Sequence, residues 1–179
     1  MRQTNKIISN EPVDPKKLAV AEKIISGLQA ELPRHIAKGS GPFLAAIYDT
    51  QGRLIAKKSN SVVRGGCSHN HAEMNTIAAA EKKLGSYDLS GAKIYVTAEP
   101  CLMCLGGILW SGIKEVYYGV PSQTVEKITG FDEGFKPRWL TEFKKRGITV
   151  YGNIVPQAGE RVLSDYVTKG HIVYKPNRD

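Results

Sequence analysis

The sequence predicts an α/β domain built on a partly parallel sheet. Apolar, strand-like runs alternate with helical patterns along the chain. One pair of runs lies close enough in sequence to form a hairpin. Two helices begin directly behind a loop or a strand end, as in layered α/β architectures, where ligands bind at the carboxyl ends of strands. The 179 residues suit one domain with a sizeable core, and no repeat or low-complexity linker divides them.

The elements follow in order. From Pro15 to about Leu32, Leu18, Ala21, Ile24, Ile25 and Leu28 recur at helical spacing and form one apolar side. Residues 41–60, GPFLAAIYDTQGRLIAKKSN, read as a hairpin turning at Asp49–Gly52. VVRGGCSHN, 62–70, is a glycine-containing loop. HAEMNTIAAAEKKLG, 71–85, is an alanine-rich helix stopped by Gly85 behind Lys82 and Lys83. AKIYVTAE is a buried strand, and CLMCLGGILWSG is a helix after Pro100. IKEVYYGV is another strand, two short helical stretches flank ITGFDEGFKP, and ITVYGNIV ends the strand set at five. AGERVLSDYVTKG is a last helix before a short tail.

Composition narrows the setting. With 41% hydrophobic and 23% charged residues the chain reads as a soluble globular protein. No run is apolar enough to span a bilayer, and residues 1–15 lack the apolar centre of a signal peptide. Three cysteines do not make a disulfide framework, so a reducing cytoplasm is the expected location, where a CxxC pair points to metal or redox chemistry. The net charge of +8 permits a nucleic-acid partner, but the basic residues are scattered among acids, as on ordinary solvated faces.

The chemistry concentrates in two stretches. Cys101 and Cys104 sit at i and i+3 at a helix start, so they share a face, and the helix N-terminus favours their thiolate forms. Two adjacent thiolates repel unless a cation neutralises them, and Zn2+ would do so. CSHNHAE offers the remaining ligands from Cys67, His69 and His71. In a structural site two of these three close a tetrahedron; in a catalytic site only His71 joins, and water takes the fourth position. Glu73, two residues beyond His71, favours the catalytic form, because a carboxylate there can move the proton of that water.

HAE followed about thirty residues later by strand, PCxxC and helix resembles the cytidine deaminase superfamily. The likeness runs from residue 41 to about 152. Within the superfamily the chain looks most like short, zinc-dependent guanine deaminases, through GPF at 41–43, Asn60, HAE at 71–73, AEPCLMCLGGILWSG and above all GFDEG at 130–134. The resemblance implies a three-layer fold with a mixed five-stranded sheet between helices. It implies one domain over 1–179, and a homodimer whose subunits would exchange the segment from about 153. His71, Cys101 and Cys104 would hold Zn2+, with Glu73 as proton shuttle. Asn60 would hold the purine carbonyl, and Phe43 and Trp110 would wall the base pocket. Asp132 or Glu133 would accept the N–H groups of the base or pass a second proton to departing ammonia. Asn70 departs from the alanine usual before the zinc histidine, and would narrow the pocket or add a hydrogen-bond partner. Cys67 and His69 are expected at the pocket rim.

The expected activity is hydrolytic deamination of free guanine to xanthine, with a small-molecule base, rather than nucleic acid or membrane, as partner. The alternatives are a deaminase of cytosine, a pteridine or a triazine such as ammeline, a tRNA adenosine deaminase, and a non-enzymatic zinc-stabilised binding module.

Overall fold

The computed structural model describes residues 6–175. Its sheet contains six strands in the order β1-β6-β5-β4-β2-β3. These are β1 (Ile8–Ser9), β2 (Leu44–Tyr48), β3 (Leu54–Ser59), β4 (Lys93–Ala98), β5 (Glu115–Val120) and β6 (Thr149–Gly152). β4, β5 and β6 run parallel, while β1, β2 and β3 pair antiparallel with their neighbours.

The expectation of five strands is corrected by β1. Two residues carry no periodicity to read. Side-chain hydrogen bonds make the strand: Asn10 Nδ2 donates to the Leu140 and Ile148 carbonyls at 3.2 and 2.9 Å, and Asn10 Oδ1 accepts from Val150 N–H at 2.8 Å. The segment is thereby pinned beside β6.

Helices cover both faces. Alternation along the strands sends Ala45, Ile47, Ile94, Val96, Val116, Tyr118 and Val150 to one core, shared with α3 (Ala72–Leu84), α4 (Leu102–Trp110) and α6 (Trp139–Lys145). Leu44, Ala46, Tyr95, Tyr117 and Tyr151 face the other, under α1 (Pro15–Ile36). The layers are therefore helix, sheet, helix. α1 is capped by Asp14, whose carboxylate accepts from Lys16 and Lys17 N–H, and it continues past Pro33 to Ile36, a turn further than its apolar periodicity indicates. The 62–70 loop contains a one-turn helix, α2 (Val62–Gly65). α3 ends at Gly85, which takes φ 64°, a left-handed conformation that costs glycine little.

α5 (Ser122–Thr129) and α7 (Pro156–Thr168) complete the body. The segment from 153 onward packs on its own chain: α7 lies against α1, α5, β4 and β5. Tyr166 Oη donates to the Ile172 carbonyl at 2.8 Å and fastens the tail that follows. Tail positions 176–179 lie outside the described residues.

Candidate active site

The end of β4 and the starts of α3 and α4 meet. His71 and Cys101 are the N-cap residues of α3 and α4, both with extended backbone, φ −67° and −69°. Cys104 lies one turn into α4 and is fully buried. The Cys101 Sγ–His71 Nδ1, Cys101 Sγ–Cys104 Sγ and Cys104 Sγ–His71 Nδ1 separations are 3.4, 3.6 and 3.7 Å. Tetrahedral zinc with ordinary Zn–S and Zn–N bonds needs edges of about 3.8 Å between sulfurs and about 3.6 Å between sulfur and nitrogen. The triangle fits that ion without rearrangement. Among the described residues these three form the one metal-capable group of His, Cys, Asp and Glu side chains.

The electrostatics agree. The Cys101 thiol is pushed down to about 4 by its hydrogen bond with Cys104, against burial and with help from His71. Cys104, across the same bond, is pushed up, with burial adding to the rise. Burial depresses His71, but its contact with the Cys101 sulfur outweighs this and raises its pKa. Two sulfurs and an imidazole are thus held around a space that favours positive charge.

Glu73 is buried beside the triangle. Burial, reinforced by negative charge at Cys101, raises its pKa to about 7. It lines a cavity together with His71, Cys101, Phe43, Asn60, Glu99 and Glu133. Asn60 Oδ1 accepts from Val62 N–H at 3.1 Å, which sets the amide's orientation. A Cβ on Gly41 would lie 2.8 Å from that same oxygen, so the close approach needs glycine there. Phe131, from the loop after α5, stands 6.2 Å from His71 and 6.1 Å from Tyr174, measured between ring centroids, and links the metal triangle to the tail.

Glu133 is the buried acid of GFDEG, and burial drives its pKa up to about 9. Its neighbour Asp132 is exposed and outside the cavity, its Oδ1 accepting from Gly134 N–H at 2.8 Å. Asn70 also lies outside the cavity lining: its side chain abuts Gly65 of α2, and its carbonyl accepts from Ser61 N–H and Asn75 Nδ2. Trp110 is 85% exposed at the end of α4, because that helix turns its Cys104–Leu105–Ile108 face inward and its last residue away. Cys67 and His69 contact each other, with Sγ 3.3 Å from the ring nitrogens, on the α2–α3 loop and outside the cavity lining.

Five cavity residues carry no local sequence signal: Thr129, Tyr166, Ile172, Val173 and Tyr174. Glu99, which also lines the cavity, is marked in the sequence as a charge directly after an apolar strand and before Pro100.

A helix–sheet–helix domain carrying a Cys2His triangle beside a buried glutamate defines a zinc-dependent deaminase architecture. The chain belongs to the family described as the cytidine and deoxycytidylate deaminase zinc-binding region, whose model matches residues 20–120. It is 40% identical over 95 residues to guanine deaminase of Bacillus subtilis; the match covers 53% of this chain and 60% of that relative. A crystal structure of guanine deaminase from Nitrosomonas europaea superposes with a TM-score of 0.77 at 33% identity, over 88% of this chain and 96% of that one. A crystal structure in complex with 2,6-diaminopurine superposes with a TM-score of 0.80 at 32% identity, over 93% and 96% of the two chains.

Proposed function

We propose that this chain hydrolyses the 2-amino group of free guanine, giving xanthine and ammonia. The observation that carries the reading is that two buried acids, Glu73 and Glu133, line the same cavity as His71 and Cys101 of the metal triangle. Resemblance to guanine deaminases, and to a structure holding a purine with a 2-amino group, supports guanine as the base.

His71, Cys101 and Cys104 would hold the zinc ion, which when bound would supply the Lewis acidity that makes water a nucleophile near neutral pH. Glu73 takes the proton of the attacking water and delivers it to ring N3, which makes C2 electrophilic. The water oxygen adds at C2. An acid that burial has brought to about 7 exchanges protons in both directions near neutrality. Glu133, held neutral by burial, donates to the departing amine as the C–N bond breaks. Glu73 takes the proton of the hydroxyl left on C2, and proton exchange with water restores both acids once ammonia has left. Asn60, its Oδ1 occupied by Val62 N–H, presents Nδ2 to the purine carbonyl. Phe43, Phe131 and Tyr174 give the planar ring apolar walls.

The protein acts as a homodimer in this reading. Trp110, Leu102 and Phe135 are large, apolar and exposed, and Leu102 of α4 lies beside Gly134, the neighbour of Phe135. The segment from 153 onward is the part such a dimer would exchange. The ligand thiols require a reducing compartment, the cytoplasm. A tRNA substrate fits less well with a cavity that the tail residues Ile172, Val173 and Tyr174 help to line.

Ammonia release from guanine, adenine, cytosine, ammeline, guanosine and a tRNA anticodon hairpin tests the reading. Guanine should be turned over fastest. Inert guanine alongside turnover of any other member of the panel would replace it.

A further inference from the structure

Lysine is rarely buried unless paired, yet the Lys136 side chain is only 9% exposed. It lies three residues beyond Glu133, between α5 and α6. Its ammonium has three protons and three acceptors: Glu99 Oε1 at 2.8 Å, the Pro100 carbonyl at 3.3 Å, and Ser122 Oγ.

Donor directions follow from chemistry. Lysine only donates, so Ser122 Oγ is the acceptor of that bond. The serine's own proton must then go elsewhere, and Glu133 Oε2 stands 3.4 Å away. Ser122 cannot drift, because its N–H donates to Glu99 Oε2 at 3.1 Å. Glu99 thus holds lysine and serine with separate oxygens, and Lys136 Nζ stands 4.0 Å from Glu133 Oε2 itself. Leu102 N–H donates to the Glu133 carbonyl at 3.4 Å, tying the same loop to the start of α4.

We infer that Lys136 is a positioning residue for the deamination, acting through the Ser122 hydroxyl to fix which way the Glu133 carboxyl points. This rests on the role given to Glu133 above. With Oε2 receiving the serine proton, a neutral Glu133 carries its acid proton on Oε1. The lysine therefore selects the oxygen that gives a proton to the leaving amine. Glu133 otherwise sits on a loop without regular structure, where a free carboxyl would divide its proton between two oxygens and several rotamers. Through Glu99 and Pro100 the clamp is anchored immediately before Cys101, so acid and metal triangle share one reference point.

The test combines two single variants with a Glu133→Gln background. Ser122→Ala deletes the relay hydroxyl and keeps the Lys136–Glu99 pair; Lys136→Met deletes the charge with little change of length. Each should lower kcat for guanine by about 10- to 100-fold, the scale of misplacing a reacting group, with KM changed by less than about threefold. Zinc content should stay at the wild-type level, and Ser122→Ala should unfold at the wild-type temperature. In the Glu133→Gln background neither change should cost more than about twofold further, because the group they act through is gone. Undiminished losses in that background, or normal kcat in both single variants, would overturn the inference while leaving Glu133's role intact. If Glu133→Gln alone turns over guanine normally, the role of Glu133 fails first and takes the inference with it. Should Lys136→Met not fold, Ser122→Ala decides.

Discussion

Gly152 in β6 is where a single added methyl group should cost most. A Cβ there would stand 1.9 Å from Tyr118 Cζ and 2.3 Å from its Cε1 and Oη. Carbon atoms pack at about 3.5 Å or more, so the shortfall is about 1.6 Å. The ring has nowhere to go: Tyr118 is 1% exposed, its centroid lies 6.2 Å from that of Trp139, and the Glu99 carboxylate beside its hydroxyl helps to raise its pKa. Gly152→Ala should therefore reach the upper end of overpacking costs, about 3 kcal/mol. For a domain of this size that is a fall in Tm of roughly 6–12 °C. Gly107→Ala is the control. Its Cβ would meet Met74 Sδ at 2.6 Å, but a methionine chain swings aside, and alanine favours the helix by about 1 kcal/mol. That variant should stay within about 3 °C of the parent. Scanning calorimetry or thermal circular dichroism reads both. In a Tyr118→Leu background, which removes the clashing atoms, Gly152→Ala should lose most of its effect. An unchanged Tm in Gly152→Ala, or an equal loss when Tyr118→Leu is also present, would refute the steric account.

Glu73→Gln keeps shape and removes proton transfer. Turnover of guanine should fall by on the order of 10²-fold or more with zinc content unchanged, measured by ammonia release and metal analysis. Zinc absorption spectroscopy should find two sulfurs, one nitrogen and one oxygen. Removing the metal with a chelator should abolish turnover and lower Tm, and added zinc should restore both. Glu142 is held at about 2 by hydrogen bonds from Lys145 and Arg146. Its folded pKa is depressed, so its contribution is complete above the unfolded value of about 4.3 and is lost as pH falls toward 2. Denaturant titrations should show a slightly shallower acid decline in Glu142→Gln than in the parent, slight because the pair is solvated.

What could be read from the chain depended on how local the determinant is. The His71 and Gly85 boundaries of α3 are each written in one or two residues, and Cys101 and Cys104 meet through helical spacing alone. Glu99 and Lys136 are 37 positions apart, and no spacing rule joins them. β1 depends on one asparagine reaching across some 130 to 140 positions, so nothing near it in sequence marks a strand. Trp110 and Asn70 illustrate the opposite difficulty. Each lies close in sequence to a metal ligand, yet helix phase turns the first outward and the α2 turn draws the second aside. The tail residues around Tyr174 look like any short apolar segment until folding brings them to Phe131.

The cavity draws its parts unequally from along the chain. The three metal-capable side chains and Glu73 fall between 71 and 104, on two helix starts, while most of the walls come from 41–43, 60–63, 129–133 and 166–174. The metal triangle and most of the cavity walls are therefore encoded in separate stretches of the gene, with the buried acid Glu133 falling among the walls. Substitutions accumulating in the wall segments can redirect such a scaffold toward another amino-heterocycle without disturbing the ligand triangle. A library confined to 129–136 and 166–175, with Glu133 and Lys136 held fixed and screened for retained zinc and new ammonia release, would sample that divergence directly.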